Sequence, residues 1–233
     1  MVMFMAAYDA SMDSRKAFLS VGGFVSSAAD WLDFDGKWRD RLAQDGLSYF
    51  HTADFAHSVG DFARFKNQKE RKRALLQDLL GIVSSHTYRK FGVTVEVEAV
   101  DAEFADQNKL EYAPNSFVLA GELACGQALF WAIAEGCPLP EFVFEDSDLG
   151  RGKLAEQVKV LTGVMPTFRP KKDSPEIKAF TPLQAADILV YEMSRLTRKG
   201  TPRGSFSYPF QELNRMPGGI LQPRRRQRFP LST

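Results

Sequence analysis

The chain has 233 residues, of which 44% are hydrophobic and 25% are charged, and its net charge is +1, as is ordinary for a soluble globular protein with a full core. No apolar run approaches the roughly 20 residues that span a bilayer, and the N-terminus lacks the pattern of a secretory signal. The two cysteines, Cys125 and Cys137, form no disulfide framework. We therefore expect a cytoplasmic protein that makes no membrane contact.

The first half of the chain predicts a β-hairpin followed by helices and a third strand. An apolar segment, a turn-like segment and a second apolar segment predict the antiparallel hairpin. A helix opens at Ala28, and a loop-rich stretch over residues 49–65 precedes a strongly helical one. The predicted strands cover residues 2–8, 17–25 and 90–97, and the second helix covers residues 67–86.

The second half predicts a long buried helix that begins near Pro114 and ends at Gly136. The sequence Thr181-Pro182-Leu183-Gln184 has the form of a capping box and predicts a helix from there to about residue 198. Further predicted elements are a strand over 141–145, a helix over 151–161, a basic loop over 166–175 and a short strand over 177–180. Strands that alternate with helices predict an α/β (α+β) domain around a mixed sheet.

The end of the chain differs from the rest in charge. From Arg198 onward, eight Arg or Lys residues stand against the single acid Glu212, a net charge of +7, so the preceding residues carry −6. Pro, Gly and Arg beyond Gly200 predict no regular structure. We predict one domain over residues 1–198 and a basic tail over 199–233. The tail is suited to nucleic acid, RNA or DNA, or to a protein partner; a solvated tail that offsets the body charge is an equal alternative.

Three acidic segments, far apart in sequence, follow apolar runs or a helix start. Asp9 follows the first strand, Glu145 follows the strand over 141–145, and Asp187 interrupts an apolar helical run. Buried acids need partners, and three converging acids would repel one another unless a divalent cation lay between them. The pattern therefore predicts a metal-dependent phosphoryl-transfer site. The alternative is separate structural roles, such as a turn acid for Asp9.

Five motifs resemble the bacterial domain-of-unknown-function-3800 family, over about residues 4 to 195. They are Tyr8-Asp9-Ala10-Ser11 with Val21-Gly22-Gly23, Tyr49-Phe50-His51-Thr52-Ala53-Asp54-Phe55, Phe144-Glu145-Asp146 with Gly150-Arg151-Gly152-Lys153-Leu154, Phe168-Arg169-Pro170-Lys171-Lys172, and Pro182-Leu183-Gln184-Ala185-Ala186-Asp187-Ile188-Leu189-Val190-Tyr191-Glu192. The last motif is the most specific. The family usually has an acid directly after the first aspartate, where this chain has Ala10.

The resemblance implies an RNase H-like fold, in which a mixed sheet flanked by helices carries acids that bind two divalent ions. Carried over by motif, the metal ligands are Asp9, Glu145 and Asp187, with Asp148 or Glu192 as a fourth or supporting member. Oxygen ligands favour Mg²⁺ or Mn²⁺ over Zn²⁺. The missing acid at Ala10 means either that this acid is not a ligand or that the site is weakened.

Other residues are candidates for contact with substrate. His51 is a candidate general acid or base, or a plain loop histidine; zinc binding with Asp54 and His57 is disfavoured, since the pattern lacks four ligands. The candidates for binding phosphate or substrate are Lys171, Lys172 and Arg169, with a solvated loop as the alternative, together with Lys153 at a helix N-terminus and Gln184.

The first functional hypothesis is a metal-dependent nuclease that hydrolyses phosphodiester bonds by a two-metal mechanism. In this hypothesis Asp9, Glu145, Asp187 and His51 are catalytic. The alternative is a catalytically weak or inactive subunit that binds nucleic acid or protein within a larger complex, and it is motivated by Ala10 and by the basic tail. A third reading is a small-molecule phosphoesterase.

Overall fold

A computed structural model describes residues 2–104, 115–146, 150–199 and 207–223, which form one mixed sheet flanked by helices. The strands are β1 (Phe4–Met12), β2 (Phe18–Ser27), β3 (Arg89–Glu96), β4 (Glu141–Glu145), β5 (Thr167–Arg169) and β6 (Gly218–Leu221). The helices are α1 (Ala28–Gln44), α2 (Thr52–His57), α3 (Lys69–His86), α4 (Val97–Phe104), α5 (Asn115–Glu135), α6 (Arg151–Thr162), α7 (Pro182–Lys199) and α8 (Tyr208–Arg215), with a 3-10 helix at Gly60–Phe65.

The six strands lie in the order β5-β4-β1-β2-β3-β6. β2 pairs antiparallel with both β1 and β3, so the first three strands form a meander. β4 pairs parallel with β1, β5 parallel with β4, and β6 parallel with β3. The chain thus has the mixed sheet, flanked by helices and opened by an N-terminal hairpin, that the sequence predicts.

Each face of the sheet is covered by its own hydrophobic cluster. Successive strand residues point to opposite faces, so Ala7 packs in one cluster, while Ala6 and Tyr8 pack in the other. The first cluster contains the apolar sides of α1, α3 and α7, and the second contains those of α5 and α6. Cys125 of α5 is buried in the second cluster.

Helix α5 corrects the expectation that no apolar segment has the length of a membrane span. By length and composition it could cross a bilayer, but half of its apolar window is buried inside the protein. Core helices of soluble proteins can have the same length and apolar composition. α5 packs on α6 and on the sheet strands β2 and β3, which accounts for its apolar character.

The C-terminal segment departs most from the sequence-based expectation. The predicted absence of regular structure beyond Gly200 is wrong for residues 207–223, because α8 packs on α3 and β6 extends the sheet beside β3. Gly218 permits this pairing: it has φ 129°, and a side chain there would collide with the Lys90 carbonyl. Tertiary packing therefore overrides a local composition rich in Gly and Pro. The charged run at residues 224–228 lies outside the described residues.

Two segments between the main elements also differ from expectation. The stretch over residues 49–65 contains α2 and the 3-10 helix rather than mainly loop, because Phe55, Phe62 and Phe65 pack into the core. The predicted strand over 177–180 is wrong: the Phe180 N–H donates to the Pro170 carbonyl, closing a loop. The strand in this region is β5 instead, inside the stretch expected to be loop.

Candidate functional site

Asp9 and Glu145 lie side by side on neighbouring parallel strands. The register pairs Tyr8 of β1 with Phe144 of β4, so the next residues along both strands are the two acids. Both point to the face that carries Ala7, since Tyr8 and Phe144 face the other cluster. Asp9 is 1% exposed and Glu145 is 7% exposed. Two buried carboxylates therefore meet where the parallel pairing of β1 with β4 ends, near the edge at which α/β sheets usually bind ligands. Asp9 does not follow the first strand, as the sequence predicts, but lies within it, because pairing with β2 extends β1 to Met12.

Ala10, where the resemblance leads us to expect an acid, points away from this pair. It packs against the hydrophobic cluster on the opposite face of the sheet, as alternation along β1 requires. A carboxylate at position 10 in this strand would therefore lie across the sheet from Asp9. The absence of an acid at Ala10 removes nothing from the cluster that Asp9 and Glu145 form.

Helix α7 brings the third acid to the same place. Its apolar residues Leu183, Ala185 and Leu189 pack on the sheet face that carries Asp9, and the helix contacts β1 and β2. Asp187 is 7% exposed, and its Oδ2 accepts a hydrogen bond of 2.6 Å from the Thr52 backbone N–H at the start of α2. The first residue of α2 thus anchors the Asp187 carboxylate.

Lys171 joins the acids. It lies two residues beyond β5, and its Nζ is 2.9 Å from Asp9 Oδ2 and 3.7 Å from Asp187 Oδ1. Burial lowers the pKa of Lys171, but Asp9, Asp187 and Glu145 outweigh burial and raise it above its ordinary value. The side chain therefore stays a cation wherever the three acids are ionised, and we name these four residues the acidic cluster.

Gln184 holds the backbone of Lys171 in place. Its Nε2 donates to the Lys171 carbonyl at 2.7 Å, and its Oε1 accepts from Trp38 Nε1 at 2.9 Å and from the Phe50 N–H at 3.0 Å. The helix begins where predicted, but without the reciprocal side-chain bond of a capping box, because the Gln184 side chain bonds to these three partners instead. The structure gives Gln184 a positioning role, and its direct contact with substrate stays a prediction.

An aromatic and basic rim borders the cluster. The Tyr49 ring stacks on His51 with centroids 6.1 Å apart, and Lys172 Nζ lies 5.5 Å from the centre of the Tyr49 ring. His51 Nδ1 lies 2.9 Å from Asp54 Oδ2. In sequence, His51 directly precedes Thr52, whose backbone N–H donates to Asp187. The sequence places His51 among the candidates but gives no signal for Tyr49 beyond its membership of a family motif.

We expect Tyr49 to remain neutral at pH 10, where an ordinary tyrosine is half ionised. Burial raises the pKa of Tyr49 to about 12; Lys171 opposes this, and Asp187, Asp9 and Glu145 add to it. Lys171→Met should therefore raise this pKa, and Asp187→Asn should lower it. NMR titration of ¹³C-tyrosine, with Tyr49→Phe to assign the signal, measures both shifts. Half ionisation near pH 10 would contradict the described environment.

The cluster offers oxygen ligands, and a cation of the chain itself lies among them. Among the residues described, no group of three His, Cys, Asp or Glu side chains is arranged to hold a metal ion. The Lys171 ammonium stands in for one, balancing carboxylates that otherwise repel. Carboxylates are the ligands that Mg²⁺ and Mn²⁺ prefer. The carboxylate oxygens thus suit a hard divalent ion, but in this structure the cation that lies among them is the Lys171 ammonium.

Of four other predicted site residues, Arg169 borders the acids, Lys153 and Glu192 lie elsewhere, and Asp148 is outside the described residues. Lys153 on α6 donates to Asn115 Oδ1 at 2.9 Å, and Arg169 is exposed on β5 beside Glu145 in the register. Glu192 is not part of the acidic cluster: it pairs with Arg195 at 3.0 Å and accepts from Ser207, one turn and more along α7 from Asp187. Asp148 lies outside the described residues.

Comparisons with known proteins give a distant structural similarity. No family model and no curated protein matches the chain. Among solved structures, the chain is similar to one from the PCNA:RNase HII complex of Archaeoglobus fulgidus, with a TM-score of 0.44 and 15% sequence identity. The similarity covers 91% of this chain and 87% of that chain.

Proposed function

We propose that the chain is a nuclease of the domain-of-unknown-function-3800 family that hydrolyses phosphodiester bonds with the help of Mg²⁺ or Mn²⁺. One observation carries the proposal: Asp9 and Asp187 pair with the partly buried ammonium of Lys171, and Glu145 lies beside Asp9 on the neighbouring strand, although the three acids come from distant segments. Buried acids that share one cation are costly for stability alone. Such clusters are typical of sites that bind metal and phosphate.

The acids would hold the ions in this proposal, and the surrounding residues would bind the nucleic acid. Ions held by Asp9, Glu145 and Asp187 would supply an activated water and neutralise charge on the leaving oxygen, which is the two-metal form of the reaction. Lys172 and Arg169 are exposed beside the acids and suit contact with backbone phosphates. The Tyr49 ring is placed to stack on a base.

His51 and the positive C-terminal segment complete the proposal. His51 is one-third exposed and pairs with Asp54, a pairing that orients the imidazole as in general acid–base sites. We propose that it acts as a proton carrier for the attacking water or the leaving oxygen. The net charge of +7 from Arg198 onward would attract RNA or DNA and strengthen binding at low salt.

The proposal is tested by cleavage of labelled single-stranded and duplex DNA, RNA and RNA–DNA hybrid in Mg²⁺, in Mn²⁺ and in chelator. We expect ion-dependent cleavage of at least one substrate by the wild type, and its loss in Asp9→Asn. Cleavage that persists in chelator, or that Asp9→Asn leaves intact, would contradict it. Turnover of small nucleotides with intact oligonucleotides would favour a phosphoesterase instead.

A non-catalytic subunit is the second candidate, and Lys171 is the observation that favours it. Because the ammonium already offsets one of the three negative charges, the cluster needs less compensation from a metal. Such a protein would bind nucleic acid or a protein partner without cutting. Tight, salt-sensitive binding of an oligonucleotide with no cleavage in Mn²⁺ would select this function over the first.

A further inference from the structure

The position of Lys171 within the acidic cluster bears on how a metal would enter. The lysine approaches from the loop after β5, and its side chain is 16% exposed, whereas the acids come from β1, β4 and α7. Its ammonium contacts Asp9 Oδ2 and lies 3.7 Å from Asp187 Oδ1. A lysine is protonated at neutral pH, so the cluster already contains one full positive charge.

A divalent ion and this ammonium have the same ligands. Mg²⁺ binds carboxylate oxygens at about 2.0–2.1 Å, a distance at which Asp9 Oδ2 has no room for an ammonium on the same side. A divalent ion bound through Asp9 Oδ2 therefore requires the Lys171 ammonium to leave that oxygen.

The lysine has a route out of the cluster. Lys171 follows β5 at the edge of the sheet, and its neighbour Lys172 is exposed. The backbone of Lys171 is held by Gln184, so only the four-carbon side chain needs to move. A flexible lysine stem allows that movement without unfolding of the loop.

We propose that Lys171 is a built-in competitor of the divalent cation, which occupies the acidic cluster in the metal-free protein and swings toward solvent when Mg²⁺ or Mn²⁺ binds. The inference rests on the metal-binding part of the proposed function and adds the residue that controls it. The protein thereby offsets part of the negative charge of its acids without metal, and it binds metal more weakly than three carboxylates alone would. Apparent affinity falls because the ion has to displace a bound partner.

Mn²⁺ binding to the full chain, measured by electron paramagnetic resonance, tests this competition without any assay of cleavage. We expect Lys171→Met to bind Mn²⁺ at least tenfold more tightly than wild type, and Lys171→Arg to bind it no more tightly. Lys178→Met, in the same loop and exposed, is the matched control and should bind like wild type. Adding Asp187→Asn to Lys171→Met should remove the gain in Mn²⁺ affinity. That loss would show that the ion binds at the acidic cluster.

If Lys171→Met does not fold, a measurement on the wild-type protein tests whether Mn²⁺ displaces Lys171. Brief acetylation with acetic anhydride, quantified by mass spectrometry, reports how accessible each lysine is. We expect Mn²⁺ to increase acetylation of Lys171 several-fold and to leave Lys178 unchanged. Unchanged or reduced labelling of Lys171 in saturating Mn²⁺ would overturn the inference.

The outcomes separate this inference from the proposed function. If wild type binds Mn²⁺ and cleaves nucleic acid, but Lys171→Met binds Mn²⁺ no more tightly, the inference that Lys171 competes with the metal is wrong. The proposed nuclease function is then still supported. If neither protein binds Mn²⁺, both fail together. A weaker affinity in Lys171→Met would show that the lysine assists metal binding, and it would also overturn the inference.

Discussion

Asp187→Asn should remove the proposed nuclease activity while leaving the fold intact. The carboxylate contributes a full negative charge beside Lys171, and its Oδ2 accepts from the Thr52 N–H. An asparagine oxygen can keep the hydrogen bond to Thr52, but the charge is lost, and so is one ligand for a divalent ion. Loss of a single group that stabilises transition-state charge costs on the order of 10²–10³ in rate, and we expect at least about 100-fold.

The measurement is the initial rate of cleavage of the best substrate under saturating Mn²⁺, together with the melting temperature. Glu176→Gln is the matched control, because Glu176 is an exposed acid in the loop that follows Lys171. It should cut at the wild-type rate. An Asp187→Asn protein that melts normally and still cuts at the wild-type rate would rule out a catalytic role for this cluster.

Gln184→Ala should destabilise the protein by roughly 3 kcal/mol or more, since each buried polar group left without a partner costs about 1–3 kcal/mol. Gln184 is 1% exposed. Its truncation leaves three groups without their hydrogen-bond partner, namely the Trp38 indole N–H, the Phe50 N–H and the Lys171 carbonyl. The same change frees the Lys171 backbone, so we also expect weaker placement of its ammonium and a loss of activity larger than the loss of folded protein.

Urea unfolding measures the first effect, and the rate per folded molecule measures the second. Gln44→Ala, at the exposed end of α1, is the control and should change stability by less than about 0.5 kcal/mol. A Gln184→Ala protein as stable as Gln44→Ala would contradict the hydrogen-bond network described for this residue.

Local patterns predicted much of the secondary structure. The strand over 141–145 and the helix that begins at Pro182 match β4 and α7, because each carries an apolar period and a clear boundary. The antiparallel hairpin and the mixed sheet were predictable for the same reason. Short elements such as β5, β6 and α8 were not, because neighbours across the sheet and core stabilise them rather than their own residues.

The sequence by itself determined which acids interrupt apolar segments, and therefore that Asp9, Glu145 and Asp187 needed partners once buried. Only the tertiary structure decided what those partners are. Strand register sets Asp9 beside Glu145 and turns Ala10 to the other face, and a loop contact across the fold places Lys171 among the acids. These outcomes depend on pairing between residues up to 162 positions apart, and local propensity contains no information on such pairing.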